Sequence, residues 1–315
     1  MKDFGRVGVL LGGRSSEREI SLMSGNAVLQ ALLGRGVDAH PFDPYLKSIG
    51  ELERSGFDRV FIALHGRFGE DGTIQGVLET LRIPYTGSGV QASAVALDKL
   101  VTKRMWVWAG IPTPGWRELE AQDDFDALAR ELGGPVVVKP RSEGSTIGIT
   151  KVTSNANGEL AAAFALARRY DTRVFAEELV AGRELTCAIL GAGAGAEALP
   201  LIEIRAPHAD YDYHSKYFSD TTQYLCPAPL APALAQHIQR LCLQAYQVVG
   251  ARGWGRVDVM LKPQADGERP FLLELNTVPG MTGHSLVPMA ARQRGMDFPD
   301  LVLRILSDAT LEVNT

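Results

Sequence analysis

The chain has 315 residues, 45% hydrophobic and 22% charged, enough for an ordinary buried core and for two domains or three small ones. A net charge of −5 and a sequence pI of about 5.7 argue against nucleic acid as the main partner. The cysteines Cys187, Cys226 and Cys242 form no CxxC pair, so no zinc site or disulfide framework is suggested and a reduced cytoplasm fits, while no run of about 18 apolar residues suggests a membrane span and no signal peptide is expected before Val7.

Val7-Gly8-Val9-Leu10-Leu11 predicts a buried parallel strand. A polar turn, Gly12 to Glu19, leads into a helical pattern through Ile20, Leu22, Val28, Leu29 and Leu32, the start of an open α/β unit. The glycines are not GxGxxG, but the turn sits at the carboxyl end of a strand, where such sheets bind ligands. Glu17 is therefore a candidate for a substrate ammonium, and equally a first-turn acid favoured by the helix dipole. A second strand, Arg59 to Leu64, runs into His65-Gly66-Arg67-Phe68-Gly69-Glu70-Asp71-Gly72, which nominates His65 and Glu70 for the same pocket. A helix follows from about Thr73 to Leu81. A short third strand, Ile83 to Thr86, ends in Gly87-Ser88-Gly89, and the first domain closes near Leu97.

Asp98-Lys99-Leu100 opens a helix through Trp108, and Ile111 to Pro114 is an extended linker. After a helix near Asp123 to Leu132, the strand Pro135 to Pro140 carries Lys139 directly into Arg141-Ser142-Glu143-Gly144-Ser145-Thr146-Ile147-Gly148-Ile149. This small, hydroxyl-bearing loop reads as a flap offering backbone N–H groups to phosphates. It is not the Walker A pattern, because the lysine precedes the loop. A helix from about Asn157 to Arg169 precedes the strand Arg173 to Val180. There Glu177 sits at the end of an apolar run, Leu179 and Val180 could flank a planar adenine, and Glu184 just beyond could accept from ribose hydroxyls. Ile189 to Ala198, rich in Ala and Gly, reads as a loop between strands.

Ala206 to Pro229 lacks apolar periodicity but is rich in tyrosine, which argues for an active-site cover carrying Lys216 and Tyr217. A helix from about Pro232 to Val249 leads to two apolar runs around a turn containing Asp266-Gly267, a hairpin signal. Alternation puts Arg256, Asp258 and Met260 on one face of the first run and Leu272, Glu274 and Asn276 on one face of the second. If the strands pair, hard oxygen ligands converge on one surface, suited to Mg²⁺ shared with nucleotide phosphates, with Arg256 facing the reacting group. A single polar strand face needs no function; two carboxylates and an amide inside apolar strands are costly to pair without a cation or an arginine. Helices through Ala290 and Arg292 and from Pro299 to Ser307 finish the chain.

The ordered set LLGGRSSEREISLMSG, ALHGRFGEDGTIQG, PYTGSG, VVVKPRSEGSTIG, YDYHSKYFSD, GWGRVDVM and LLELNTVPGMTGHSLVPMAAR covers nearly the whole chain and closely resembles the D-alanine:D-alanine ligases, ATP-grasp enzymes that make the dipeptide ending peptidoglycan stems. Leu275 and Val278 depart from the family's common Ala and Ser, at no matched functional position. The resemblance implies an α/β (α+β) three-domain ATP-grasp fold, with an N-terminal open parallel sheet at 1–97 and two further α+β domains at 98–183 and 184–315 sandwiching ATP. It implies that Lys99 and Lys139 contact ATP phosphates beneath Ser145, that Glu177 and Val180 hold adenine and Glu184 the ribose, and that Lys216 reaches the γ-phosphate. Asp258, Glu274 and Asn276 would bind two Mg²⁺, with Mn²⁺ as a substitute and a monovalent cation left open. Glu17 would hold the first D-alanine's ammonium near His65, Arg256 and the Gly280 N–H the charge of the tetrahedral intermediate, and Ser285 and Leu286 the second substrate's carboxylate. Tyr217 would close the cover toward Ser145 and Glu17, and its identity resembles the dipeptide-forming type more than a D-lactate-using one. The family further implies a cytoplasmic homodimer whose partners are D-alanine and ATP, with neither nucleic acid nor membrane.

Overall fold

The computed structural model describes residues 3–132, 134–153, 158–206 and 222–312. β1 (Val7–Leu10), β2 (Ala39–Phe42) and β3 (Arg59–Ile62) form a parallel sheet in the order β2-β1-β3, with Val7 opposite both Ala39 and Arg59. All four residues of β1 are buried, as expected of a parallel strand covered on both faces. Helices α1 (Arg18–Gly34), α2 (Ile49–Glu53), α3 (Thr73–Leu81) and α4 (Val90–Leu97) accompany it. β2 is not apparent from the sequence because it contains Pro41, which is tolerated because the strand is at the sheet edge. The third strand expected at Ile83–Thr86 is reduced to bridges, Tyr85 pairing with Val60 and with Thr310.

The second sheet is antiparallel, β4-β7-β5-β6. It is preceded by α5 (Lys99–Trp108), whose first turn is capped by the Asp98 carboxylate accepting from Leu100 N and Val101 N. In chain order come β4 (Trp116–Leu119), α6 (Phe125–Leu132), β5 (Val136–Pro140), β6 (Thr150–Val152), α7 (Glu159–Ala167) and β7 (Val174–Glu178). The flap 141–149 is thus the loop of the β5–β6 hairpin.

The third sheet runs β11-β10-β8-β12-β13 with β9 on the side of β8. Its strands are β8 (Arg183–Leu190), β9 (Glu197–Ala198), β10 (Ile202–Arg205), β11 (Gln223–Leu225), β12 (Trp254–Gln264) and β13 (Gly267–Asn276). The segment read as a loop from Ile189 to Ala198 therefore contains the end of β8 and all of β9. α8 (Pro232–Val248) lies between β11 and β12, and α9 (Leu286–Gln293) and α10 (Phe298–Ser307) follow β13.

Packing crosses the order of the chain. Val287, Ala291 and Leu301 of α9 and α10 join the core of the first sheet, while Trp106 of α5 joins Val257, Leu272 and Leu275 beneath the third. The Trp106 indole N–H donates to Ala245 O at 3.1 Å, so its one polar atom is satisfied inside that core. A third cluster, with Leu119, Val138 and Phe164, fills the second sheet.

One expected face is corrected. β12 and β13 pair Asp258 with Glu274 but Val259 with Leu272, so Leu273 bulges out of register. The extra residue reverses the alternation: Leu272 is fully buried beside Leu275 in the core, while Glu274 and Asn276 stay on the other face. Leu272 thus does not share their face.

Candidate active site

The three sheets meet around a cleft of about 530 Å³. One wall is the polar face of β12 and β13, where register places Arg256 opposite Asn276 and Asp258 opposite Glu274. Arg256 grips Asp258 with both ends of its fork, Nε to Oδ1 at 2.8 Å and Nη2 to Oδ2 at 2.7 Å. Asn276 Nδ2 donates to the same carboxylate at 3.2 Å, and Thr186 Oγ1 on β8 donates at 2.7 Å. Lys99, in the first turn of α5, pairs with Glu274 at 3.1 Å and donates to Glu143 O at 2.6 Å, tying the β12–β13 face to the flap. Burial pulls the Lys99 ammonium down, but Glu274, Glu17 and Glu70 together raise it above its ordinary value. It is therefore charged at neutral pH.

The opposite wall comes from the first sheet. Glu17, 5% exposed at the start of α1, accepts a hydrogen bond from the Ser145 hydroxyl of the flap. Arg67, from the loop after β3, adds a second tie to the flap through Glu143 at 2.7 Å, and reaches Asp171 at 3.4 Å. Ser145 and Thr146 hold φ of 50° and 63°, a left-handed backbone uncommon outside glycine, which turns the flap down onto Glu17.

Between the walls, three side chains of the first sheet fix the strand that leaves β13. His65 Nδ1 donates to Val278 O at 2.8 Å; Glu70 accepts from Val278 N at 3.3 Å and from Gly66 N at 2.7 Å; Ser24 Oγ accepts from Met281 N at 3.1 Å. The Ser24 hydroxyl in turn faces His65 Nε2 at 3.0 Å. The Val278 carbonyl only accepts, which puts the His65 proton on Nδ1. Burial and the nearby Arg256 bring its pKa down to about 4, so the ring is neutral at physiological pH. Burial and the Glu17 charge push Glu70 up to about 8. Gly280 lies between the fixed residues Val278 and Met281 and lines the cleft.

The remaining candidates fall in two groups. Gly280, Ser285, Leu286 and Glu184 line the cleft with Glu17, His65 and the β12–β13 residues. Ser285 stands immediately before α9, and its Oγ accepts from Thr282 N at 2.9 Å in the preceding turn. Lys139, Glu177 and Val180 are apart from that cleft; Glu177 and Val180 are 2% and 4% exposed. Lys139 turns onto Glu177 in an ion pair, and Lys103 joins from α5 at 2.8 Å. Lys216 and Tyr217 lie outside the described residues. Sequence reasoning missed Ser24, Arg67, Lys103 and Thr186. Only Lys103, on a helix opened by a candidate site lysine four residues earlier, left a usable signal: the two lysines share a helix face.

Among the described residues no three His, Cys, Asp or Glu side chains converge as a metal cluster. The donor set is two carboxylates and an amide, hard oxygens paired across two strands, and this fits a divalent ion shared with phosphates. Two antiparallel sheets facing each other, a strand-end lysine and hydroxyl-bearing flap on one and carboxylates with an arginine on the other, define an ATP-grasp enzyme.

The comparisons make this more specific. Residues 105–307 match the family described as D-ala D-ala ligase C-terminus, and 46–88 match D-ala D-ala ligase N-terminus. The D-alanine–D-alanine ligase of Cupriavidus necator is 60% identical over 99% of this chain and 94% of its own length, and that of Polynucleobacter asymbioticus is 58% identical over 99% and 91%. The crystal structure of the D-alanine–D-alanine ligase from Bacillus anthracis superposes with a TM-score of 0.83 at 35% identity, covering 96% of both chains, and its complex with ATP with a TM-score of 0.81. The chain belongs to the D-alanine–D-alanine ligase family.

Proposed function

We propose that the chain joins two D-alanines into D-alanyl-D-alanine for peptidoglycan precursor synthesis, using ATP and releasing ADP and phosphate. A carboxylate oxygen of the first D-alanine takes the γ-phosphoryl group of ATP, giving D-alanyl phosphate. The amine of the second attacks the acyl carbon, and phosphate leaves. The observation that carries this reading is the convergence on one cleft of Glu17 under the flap, Arg256 beside Asp258, Glu274 and Asn276, and Ser285 with Leu286. No nucleophilic side chain is needed, because positioning and charge neutralisation carry phosphoryl and acyl transfer between anions.

In this reading Glu17 holds the first ammonium, and Arg256 with the Gly280 N–H receives the oxyanion of the tetrahedral intermediate. The clamp of Ser24, His65 and Glu70 on Val278 and Met281 supports the role of Gly280, because it fixes the backbone on either side of it. Ser285 and Leu286, at the start of α9, hold the second carboxylate, where the helix dipole favours an anion. Lys99 and Lys139 contact phosphates with Ser145 above them, Glu177 and Val180 hold adenine, and Glu184 the ribose. Asp258, Glu274 and Asn276 would hold Mg²⁺ (two ions, with Mn²⁺ as a substitute), which when bound supplies neutralisation of phosphate charge. Lys216 and Tyr217 belong to the cover that excludes water from the acyl phosphate. The division 1–97, 98–183 and 184–315, the homodimer and the cytoplasmic location are part of the same reading. Among the described residues no helix is long and apolar enough to cross a membrane.

Phosphate release from ATP and Mg²⁺ with D-alanine, L-alanine, or D-alanine plus D-lactate, with product masses recorded, tests it. Release with D-alanine alone and a D-alanyl-D-alanine mass supports the reading. Release only with the mixed acceptor moves the specificity to D-lactate, and no turnover with any of them overturns the chemistry.

A further inference from the structure

Lys103 is the most deeply buried charge in the described structure, at 0% exposure, yet nothing in the reaction above uses it. Its ammonium has three neighbours: Glu177 Oε2 at 2.8 Å, Thr113 Oγ1 at 2.6 Å, and the face of Trp116, whose centroid is 5.9 Å away. The other oxygen of Glu177, Oε1, is held by Lys139. One buried carboxylate is thus shared by two ammoniums from different elements, α5 and β5. Their environments differ. Lys139 lies at the end of its strand, 12% exposed in its side chain, with the flap beginning two residues later; Lys103 is walled in. An isolated buried ammonium is costly, so a fully enclosed lysine persists only where a fixed anion requires it.

We propose that Lys103 is a positioning residue for nucleobase selection: it anchors Glu177 as a carboxylate, so that Lys139 can leave for the nucleotide's phosphates and Oε1 is freed to accept from the 6-amino group of adenine. The proposal rests on the reading that places Glu177 at the nucleobase and Lys139 at the phosphates. Its logic is charge balance. Were Lys139 the sole partner of Glu177, its departure would leave a bare carboxylate 2% exposed, which would take up a proton. A protonated carboxyl has a hydrogen to donate, and would accept a 6-oxo purine as readily as a 6-amino one. Burial pushes the Glu177 carboxyl up, and the two ammoniums together outweigh it and hold it below the ordinary carboxylate range. Burial pulls the Lys103 ammonium below its ordinary value against the pull of Glu177, and Lys139 adds to that; departure of Lys139 relieves its part and leaves Lys103 as the cation beside Glu177. Selection of the amino purine thus follows from a lysine that does not touch it.

The test compares kcat/KM for ATP and for ITP, which differ at this position of the purine, in the full-length enzyme at pH 6.5 and 8.5. Lys103→Met, close in size and without charge, is expected to reduce the ATP-to-ITP ratio about tenfold or more at pH 6.5, the effect of losing one charge-assisted contact. The change lies in KM rather than kcat, and the ratio partly recovers at pH 8.5 as Glu177 sheds its acquired proton. Thr113→Val, which removes only the second anchor of Lys103, moves the ratio in the same direction by a smaller factor and covers the case in which Lys103→Met does not fold. Equal loss for both nucleotides at both pH values in the two variants means that Lys103 is merely structural and overturns the proposal. Glu177→Gln separates the proposal from the reading beneath it. A ratio unchanged by Glu177→Gln removes Glu177 from the nucleobase. A ratio that collapses in Glu177→Gln but holds in Lys103→Met and Thr113→Val refutes the role of Lys103 alone.

Discussion

Adding one methyl group to the flap tests how closely it must approach Glu17. The Glu17 carboxylate sits between two glycines. A Cβ built on Gly144 would lie 2.8 Å from Oε2 and 3.2 Å from Oε1, and one built on Gly66 would lie 2.7 Å from the same Oε2. Glu17 therefore has little room to retreat on the Gly66 side, and in Gly144→Ala the flap has to withdraw by about 0.6 Å to reach ordinary contact. That withdrawal lengthens the hydrogen bond from the Ser145 hydroxyl and weakens it without breaking it. A hydrogen bond to a charged acceptor contributes about 1.5–3 kcal/mol in full, so its partial weakening should lower kcat/KM for D-alanine by roughly two- to tenfold if the closed flap is the reactive form. Gly144 has no positive φ, so alanine adds no backbone strain and the melting temperature should stay close to that of the parent. Steady-state kinetics with D-alanine varied at saturating ATP measures the effect. Ser145→Ala, which deletes the donor, should produce the larger loss, roughly ten- to a hundredfold, and the double variant should be little worse than Ser145→Ala alone, because both act on the same contact. Parental kcat/KM in Gly144→Ala would show that the flap's closeness to Glu17 has no part in turnover.

Arg256→Ala should lower kcat by more than about a hundredfold while ATP affinity, measured by calorimetry, changes little; an unchanged kcat removes Arg256 from the mechanism. Glu274→Gln should abolish the Mg²⁺-dependent part of ATP binding, and titrations with and without Mg²⁺ that are parental in the variant would count against a metal role. Glu70 ionises near 4.5 when unfolded and near 8 when buried beside Glu17, so the unfolded chain binds fewer protons between those values and this group makes the ligand-free protein less stable as pH rises through them. His65, lowered to about 4 by burial, acts in the opposite sense, adding stability as pH rises to its ordinary 6.5 and nothing above it. Between pH 6.5 and 8.5 the Glu70 effect should thus stand alone at about 2 kcal/mol, and urea melts at the two pH values should lose that difference in Glu70→Gln. A slope that survives the substitution assigns it to another group.

Most of the longer apolar strands were legible, but β8, buried throughout from Leu185 to Leu190, and β10 were not named from the sequence. β1, β3, β5, β7, β12 and β13 all announce themselves as runs of aliphatic and aromatic residues. β2 and β4 did not, since edge strands tolerate Pro41 and the polar Arg117 and Glu118, and nothing in four residues outweighs that. The bulge at Leu273 was invisible for another reason. Leu272-Leu273 offers two adjacent leucines, and which of them turns inward is decided by pairing with β12, a contact between distant parts of the chain. The acids and amide of the cleft could be nominated because charged residues in apolar strands are unusual. Ser24 could not, because a serine on a helix is ordinary until the neighbouring sheet is in place, and Lys103 was legible only through its helix face shared with Lys99.

The cleft's charges are arranged so that ligand binding exchanges partners instead of burying new charge. Asp258 holds Arg256, Glu274 holds Lys99, and Glu177 holds Lys139. In the proposed reading the first two acids turn to divalent ions, and the freed lysines and arginine turn to phosphates and to the developing oxyanion. Removing one member of a buried pair leaves a bare charge at a cost of about 3–5 kcal/mol, so neither half of the exchange proceeds well alone. Nucleotide without the divalent ion would take Lys99 from Glu274 and leave the acid uncompensated. The ion without nucleotide would bring Lys99 and Arg256 close to a second positive charge. Binding of ATP and Mg²⁺ is therefore expected to be mutually dependent, each raising the affinity of the other by the same factor. Lys103 stands outside this exchange because it is walled in at 0% exposure with no anion to move to, and that immobility is what lets it hold Glu177 while the other cations change partners.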